Sequence, residues 1–347
     1  MPRESTGAKP RSLRAARRYL KERGIHTGLT NSLLADRAMA RGLELQPDAQ
    51  QRLTIRVRGK VLWFNGAKSN LNGLLARRCA LHKDIASRLL RSAGLNAPES
   101  AVFAPGQADR AWAWAQSIAP VVVKPNAGGS GELVHLDLTD AAQFTEAFDA
   151  VARAGEQVLV EQFVRGVEHR VLMVYGKVAA AARRVPANVV GDGRSPIRAL
   201  VKAKNRARVR SRNPTHFELV VDEITTQQLA AQQLTLDSVP VEGSQVWLRS
   251  NSNVHSGGDG VDATDELRPE EITLAERAIR AIPGLRLAGL DLLLPRDGVG
   301  TEACVLEVNS SPMISGHHFP WVGQERDVAG MLLDAMLPAH DGAADRP

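Results

Sequence analysis

Two apolar segments near the C-terminus carry acidic or amide side chains, and this feature constrains the fold more than any other. The segment LAGLDLLLP contains Asp291, and VLEVNSSP contains Glu307 and Asn309. In an extended strand residues i and i+2 point to the same side, so Glu307 and Asn309 share one face. If the two segments pair as a hairpin, Asp291 comes next to them on that face. Unpaired burial of such groups is costly, so we expect a partner that satisfies all of them.

The nature of that partner follows from the donor atoms. All three side chains offer oxygen, and we expect no arginine to neutralise them. Such a set fits a hard divalent cation, with Mg²⁺ as the natural choice, its octahedron completed by water and substrate phosphates. The alternative is that each acid pairs with a basic residue elsewhere in the chain.

A lysine and a glycine-rich turn occur together in VVVKPNAGGSGELV. Lys124 follows three valines, so its stem lies in an apolar strand while its ammonium group must reach a counter-charge. The turn at 128–131 can present backbone N–H groups to phosphates, although an ordinary turn has the same composition. Further on, Glu161 follows an apolar strand and Glu168 follows a break at Gly166. There are two interpretations: Glu161 and Glu168 line different parts of one cleft, or they lie in loops where water solvates them.

Composition excludes several classes of protein. The 347 residues are 44% hydrophobic and 24% charged, which is typical of a soluble globular protein. No apolar run approaches the ~20 residues of a membrane helix, and the N-terminus lacks a secretory signal. With only Cys79 and Cys304, a disulfide framework is excluded, and we predict a cytoplasmic protein.

The net charge of +6 is concentrated in two basic segments, residues 9–23 and 201–212. Each is interpreted as a solvated face, with attraction of a phosphorylated or carboxylate ligand as the alternative. The aromatic content of 4%, without bases interleaved with aromatics, disfavours nucleic acid as a partner.

The order of patterns predicts an α+β architecture of several small lobes. Strands and helices alternate without a regular βαβ rhythm, and neither a GxGxxG nor a GxxxxGK[ST] motif is present. Helices are expected near 140–154 and 269–282. The predicted division is a partly disordered basic tail (1–24), a small N-terminal α/β lobe (25–96), a central lobe (97–164), a C-terminal lobe (165–338) and a tail (339–347).

The assembly resembles the ATP-grasp superfamily of carboxylate–amine ligases. RRVPANVVGDGRSPIRALVKAKNR (183–206) and LRSNSNVHSGGDGVDATDE (248–266) are similar to the glutathione-synthetase lobe of the bifunctional glutamate–cysteine ligase/glutathione synthetase and to the ATP-grasp lobe of cyanophycin synthetase. The similarity covers residues 27–335. It implies two α+β lobes that grip ATP, with the glycine-rich flap in the central lobe and the metal site in the C-terminal lobe. With no further domain before or after it, we expect a free-standing ligase.

The resemblance also implies roles for individual residues. Lys83 and Lys124 would hold the α- and β-phosphates. The mobile flap would consist of Gly128, Gly129, Ser130 and Gly131, and the adenine-contacting hinge of Glu161, Gln162, Phe163 and Val164. Glu168 would bind the ribose hydroxyls. Asp291, Glu307 and Asn309 would hold Mg²⁺, as two ions for which Mn²⁺ can substitute.

The side of the site that faces the acyl phosphate is implied to contain Arg184 and a loop of Asn253, Ser256, Gly257 and Gly258. Several superfamily members have an arginine two residues before the first metal aspartate, where this chain has Gly289. The charge-stabilising arginine must therefore come from elsewhere. Arg184 is the first candidate and Arg249 the second.

The implied activity is ATP-dependent amide formation through an acyl phosphate, with release of ADP and phosphate. The substrates would be amino acids or small peptides, in a glutathione-like, cyanophycin-like or natural-product pathway, without a membrane partner and with a homodimer or homotetramer as compatible assemblies. The alternative is a non-catalytic ATP-binding protein with a regulatory or scaffold role.

Overall fold

The computed structural model describes residues 13–57, 59–128, 133–155, 157–250, 252 and 256–336. Every ladder between the strands named below is antiparallel, so parallel βαβ units are absent from these described ranges. Each lobe combines an antiparallel sheet with helices packed on it, which confirms the predicted α+β class. No helix among the described residues is long and apolar enough to cross a bilayer.

The N-terminal lobe is a four-stranded meander covered by two helices. Its elements are α1 (Leu13–Glu22), α2 (Leu29–Ala40), β1 (Glu44–Pro47), β2 (Leu53–Val57), β3 (Lys60–Asn65) and β4 (Lys68–Ser69). Leu13, Ala16 and Leu20 follow a helical period and are buried against α2 and the sheet. Part of the segment predicted as a tail, from residue 13 onward, is therefore packed into this lobe.

The central lobe has a four-stranded sheet in the order β5-β8-β6-β7. The elements from here to the hinge are α3 (Leu74–Leu81), α4 (Lys83–Ser92), β5 (Ser100–Phe103), α5 (Ala108–Ala115), β6 (Val121–Pro125), β7 (His135–Leu138), α6 (Ala141–Arg153) and β8 (Val158–Gln162). The helix expected at 140–154 is thus confirmed as α6, whose first turn is capped by the Asp140 carboxylate. Phe144 and Phe148 of α6 fill the core beneath the sheet.

The C-terminal lobe is organised by a five-stranded sheet in the order β13-β10-β9-β14-β15. Its elements are β9 (Val167–Val174), β10 (Lys177–Val185), β11 (Asn188–Val190), α7 (Ile197–Ser211), α8 (Glu223–Ala231), β12 (Gln245–Trp247), β13 (Asp259–Asp262), a 3-10 turn (Thr264–Glu266), α9 (Pro269–Ala281), β14 (Leu287–Leu294), β15 (Cys304–Asn309), α10 (Ser315–His318) and α11 (Val328–Asp334). The helix expected at 269–282 is confirmed as α9.

Both faces of this sheet are covered. One face packs against the N-terminal lobe and α11, and the other against α3, α4 and α9. Every residue of β14 is consequently buried. An acid in the middle of this strand, Asp291, must find its partners inside the protein.

The basic segment 201–212 lies in α7, and its charges divide between two environments. Lys204 and Arg208 turn inward, and both donate hydrogen bonds to the Asp259 carboxylate at 2.6 Å. Lys202 and Arg206 remain exposed. Part of the segment therefore anchors α7 to β13, rather than forming a fully solvated face.

Candidate active site

Asp291 and Glu307 face each other across β14 and β15. The register pairs Asp291 with Glu307 and Gly289 with Asn309, so the expected hairpin pairing on one face is confirmed. Asp291 is only 4% exposed, whereas the Glu307 side chain is 31% exposed. The side-chain oxygen Oδ1 of Asn309 accepts a hydrogen bond from the backbone N–H of Ser311 at 2.9 Å. The strand pair thus gathers two carboxylates and one amide oxygen on one face of the sheet.

The expectation that no arginine neutralises this set is wrong for Asp291. Arg170 lies opposite Asp291 on β9 and donates to both carboxylate oxygens, from Nε to Oδ1 and from Nη2 to Oδ2 at 2.8 Å. Arg184 Nη1 adds a second positive charge at 3.8 Å. Burial acts to raise the pKa of Asp291, but the charge and hydrogen bonds of Arg170 hold that pKa below its usual value.

Glu307 has the opposite electrostatic character. Burial and the neighbouring Asp291 charge raise the pKa of its carboxyl above the usual range, although Lys83, Lys124 and Arg170 act to lower it. Lys83 Nζ lies 3.9 Å from Glu307 Oε1, which is longer than a direct hydrogen bond. The negative charge of Glu307 is therefore less well compensated than that of Asp291, and the Glu307 carboxylate suits an additional cation.

Lys83 connects the glycine-rich turn to these acids. It is the first residue of α4, and its ammonium group donates to the Gly128 carbonyl at 2.9 Å. The end of β6 fixes this helix start through Asn126, whose amide donates to the Asp84 carboxylate at 2.9 Å and whose side-chain oxygen accepts from the Asp84 amide. Buried Asn126 therefore fixes the start of α4, and with it the position of the Lys83 ammonium group.

Lys124 and the hinge acid meet on neighbouring strands. The ammonium group of Lys124 donates to the Glu161 carboxylate, and both residues are buried. Val122 is the residue directly opposite Glu161, so Lys124 lies two positions along on the same face of the sheet. Glu161 is thus the counter-charge that the apolar strand around Lys124 predicted.

The hinge after β8 has its backbone partly engaged. The Gln162 amide donates to the Glu99 carbonyl at 2.8 Å, and the Phe163 amide donates to the Pro120 carbonyl at 2.9 Å. Val164 is half-buried and makes no backbone hydrogen bond to another residue in the described ranges. The adenine-contacting role of this hinge stays a prediction.

Glu168 and Arg184 lie between the hinge and the acid pair. Arg184 Nη1 donates to Glu168 Oε1 at 2.9 Å, and the Ser252 hydroxyl donates to Glu168 Oε2. Arg184 therefore stands between two carboxylates, those of Glu168 and Asp291. The first candidate for the charge-stabilising arginine is at the site.

Arg249, the second candidate, is not brought to the acid pair. Its guanidinium is buried at the start of α8, where it donates to the Asp222 carboxylate at 2.7 Å and to the Thr225 hydroxyl. Asp222 caps the same helix. Arg249 therefore stabilises this helix start, and its role at the acyl phosphate remains a sequence-based prediction without a contact to support it.

The loop and flap residues are only partly described. The Gly257 carbonyl accepts from Arg208 at 2.9 Å, and this glycine has φ +90°, which favours glycine; Ser256 and Gly258 flank it. Asn253 and the flap residues Gly129, Ser130 and Gly131 lie outside the described residues.

Sequence reasoning missed three side chains that shape the site, namely Arg170, Asn126 and Ser252. Arg170 stood in the apolar run EHRVLMV, where a charged residue within a strand was an available signal. Its partner lies 121 positions away, so nothing local to Arg170 indicated Asp291.

The oxygen donors of Asp291, Glu307 and Asn309 are of the type that binds hard cations such as Mg²⁺. The candidate ligands are the two carboxylates of Asp291 and Glu307 and the side-chain amide of Asn309. Among the described residues, no group of three His, Cys, Asp or Glu side chains is close enough together to hold a metal ion. Oxygen donors of this kind are the ligands that Mg²⁺ prefers, and it usually takes only one or two carboxylates from the protein. The incompletely compensated Glu307 agrees with such an ion.

Comparison with known proteins agrees with this architecture. No protein-family model matches the chain. It is 34% identical over 274 residues to cyanophycin synthetase of Trichormus variabilis, covering 77% of this chain and 30% of the relative. It is 33% identical over 286 residues to the glutathione biosynthesis bifunctional protein GshAB of Mannheimia succiniciproducens, covering 79% and 37%. The chain spans about a third of the length of these curated relatives.

A solved structure extends the match to three dimensions. The bifunctional glutathione synthetase of Pasteurella multocida superposes with a TM-score of 0.65 at 28% identity, over 89% of this chain and 43% of that one. The sequence-based resemblance is thereby confirmed. The chain has the ATP-grasp fold and is related to cyanophycin synthetases and bifunctional glutathione synthetases over most of its length.

Proposed function

We propose that this chain is an ATP-dependent ligase that joins a carboxylate to an amine. The observation that carries the proposal is the position of Lys83, which links the carbonyl of Gly128 to the acid pair of Asp291 and Glu307. The ammonium groups of Lys83, on a helix that packs against the C-terminal sheet, and of Lys124 on β6 thus lie near carboxylates of the C-terminal lobe. A nucleoside triphosphate needs both, because its phosphates bind ammonium groups directly and carboxylates through a metal ion.

The nucleotide would lie between the two lobes. Lys83 and Lys124 would bind phosphate oxygens, Val164 would offer its backbone to the adenine, and Glu168 would accept from the ribose hydroxyls. The existing partners of Lys124 and Glu168 support these roles, because each group is held in a fixed orientation before ATP arrives.

Asp291, Glu307 and Asn309 would hold Mg²⁺, as two ions or with Mn²⁺ in its place. When bound, the metal neutralises phosphate charge and orients the γ-phosphoryl group. The residues of the chain contribute the fixed surroundings, since Arg170 orients Asp291 and the Ser311 amide orients Asn309.

The reaction would have two steps. A substrate carboxylate oxygen bonds to the γ-phosphorus while the bond to the bridging oxygen breaks, giving an acyl phosphate and ADP. A neutral amine then attacks the acyl carbon, loses a proton and expels phosphate. Arg184, 25% exposed and 3.8 Å from Asp291, would stabilise the oxyanion of this second step.

The substrates would be amino acids or small peptides. This proposal is supported by the names of the relatives, since cyanophycin and glutathione are both built from amino acids. The partly exposed guanidinium of Arg184 agrees with an anionic intermediate.

The test is phosphate release from ATP and Mg²⁺ with panels of amino acids and dipeptides as carboxylate and amine partners, with mass detection of coupled products. We expect phosphate release that requires both partners. Glu307→Gln should abolish it, whereas Glu302→Gln, which changes an exposed acid in the turn before β15, should not. A protein that binds ATP and Mg²⁺ but releases no phosphate with any pair would be a non-catalytic ATP-binding protein.

A further inference from the structure

We propose that Arg170 is a resident counter-cation that keeps the acid pair closed to free divalent cations, so that Mg²⁺ enters only together with nucleotide phosphates. The inference rests on the proposed function, which assigns the metal to Asp291, Glu307 and Asn309. It adds a positioning residue and an order of binding.

The first argument is the balance of positive and negative charges around the acid pair. Each carboxylate has its own cationic neighbour, and the pairs are Lys124 with Glu161, Arg184 with Glu168, Arg170 with Asp291, and Lys83 with Glu307. Each of these carboxylates thus has a positive charge beside it without a metal ion, and the 3.9 Å separation at Glu307 is the longest of the four. A free divalent cation between Asp291 and Glu307 would add two positive charges close to the largely buried Arg170 guanidinium, which is electrostatically unfavourable. Nucleotide phosphates bring the missing negative charge.

The second argument is how completely Arg170 occupies Asp291. The guanidinium donates to both carboxylate oxygens, and the two side chains are 16% and 6% exposed. Buried, two-point arginine–carboxylate pairs are stronger and better oriented than single contacts. A cation that approaches Asp291 must therefore share oxygens that Arg170 already holds.

The third argument is that the neighbouring strand makes room for this arginine. A Cβ at Gly289 would lie 2.9 Å from Arg170 Cδ and 3.1 Å from Pro312 Cβ, so the arginine side chain crosses β14 over the missing side chain. Gly289 does not have a positive φ, so its backbone does not require glycine. Packing space for Arg170 is the physical reason for glycine at this position.

The experiment measures protein-bound Mn²⁺ with and without a non-hydrolysable ATP analogue, as the loss of the free-ion electron paramagnetic resonance signal beyond that of a protein-free sample at the same analogue concentration. Wild-type protein should bind Mn²⁺ measurably only when the analogue is present. Arg170→Gln removes the counter-cation and leaves two adjacent carboxylates. Its affinity for Mn²⁺ without nucleotide should rise at least about tenfold, the order expected from one nearby charge.

Gly289→Ala provides a second route to the same result, because the new methyl group displaces Arg170 without removing its charge from the chain. It should also increase binding of free Mn²⁺. Gly316→Ala is the matched control, since a Cβ there meets no atom within 4 Å, and it should behave as wild type. Circular dichroism on every variant establishes that the fold is intact, and Gly289→Ala decides the question if Arg170→Gln does not fold.

The outcomes separate the two proposals. If wild type binds free Mn²⁺ as tightly as it does with the analogue, or if folded Arg170→Gln and Gly289→Ala leave free Mn²⁺ binding unchanged or weaker, the counter-cation role is wrong while the metal site stands. If no variant binds Mn²⁺ with or without the analogue, the metal site of the proposed function fails, and this inference fails with it.

Discussion

Lys124 and Glu161 form a buried ion pair between β6 and β8, with side chains that are only 7% and 4% exposed. Their strands are direct neighbours in the central sheet, so the pair is fixed by the backbone register. Each charge is tolerated there because of the other, since an unpartnered buried charge is far more costly than an exposed one. The same lysine is our candidate phosphate ligand.

Lys124→Met should therefore affect stability and binding separately. The single change leaves the Glu161 charge uncompensated, and we expect the free energy of unfolding to fall by about 3–5 kcal/mol in urea denaturation. Lys124→Met combined with Glu161→Met should recover most of that loss but should not recover ATP-analogue binding in calorimetry. A double variant that binds the analogue like wild type would show that Lys124 is not a phosphate ligand.

Arg184 and Arg249 should respond differently to the same substitution. With a productive substrate pair, Arg184→Gln should lower kcat by about 10²-fold or more, because a preorganised charge at the oxyanion is lost. Arg249→Gln should instead destabilise the fold by about 2 kcal/mol, because it breaks buried hydrogen bonds at the start of α8. Turnover and thermal unfolding measured on both variants check this. The reverse pattern would make Arg249 the catalytic arginine.

Gly166 should be intolerant of a methyl group. A Cβ at this position would lie 2.8 Å from Leu293 Cβ and 3.1 Å from its backbone carbon, so β14 itself would have to move. We expect Gly166→Ala to cost about 1–3 kcal/mol in denaturant unfolding. Gly316→Ala, which has open space, serves as the control. Equal stability of the two variants would contradict the close approach of the hinge loop to β14.

Three buried histidines should make the protein sensitive to acid. Burial lowers the pKa of His216 to about 4, of His317 to about 3 and of His318 to about 4, from 6.5 for an ordinary histidine. The unfolded chain then binds more protons than the folded one below pH 6.5, so stability falls as the pH drops from 6.5 towards 4. The slope is at most about 1.4 kcal/mol per pH unit for each histidine.

Urea unfolding across this pH range measures the effect. His216→Gln should reduce the slope, since the amide oxygen can replace Nε2 as the acceptor for the Gly260 N–H. His26→Gln, at an exposed position, is the matched control for the loss of an imidazole. A pH-independent stability between 6.5 and 4 would contradict the burial of these rings as neutral imidazoles.

The sequence alone determined those parts of the site that depend on local geometry. Asp291, Glu307 and Asn309 lie on one face because side chains alternate along a strand and because a short turn joins β14 to β15. The need of Lys124 for a counter-charge followed from the valines before it. Both inferences required only the period of a strand and the cost of burying charge.

Only the tertiary structure decided which charges meet. Arg170 reaches Asp291 because β9 lies beside β14 in the sheet, although 121 positions separate the two residues. Lys83 reaches Glu307 because α4 packs across β15, and α1 joins the core through its contact with α2. Strand order and helix packing are set by the burial of whole faces. The sequence of one segment therefore does not indicate which other segments pack against it. For that reason the sequence predicted the carboxylates of the site but not Arg170, which binds Asp291.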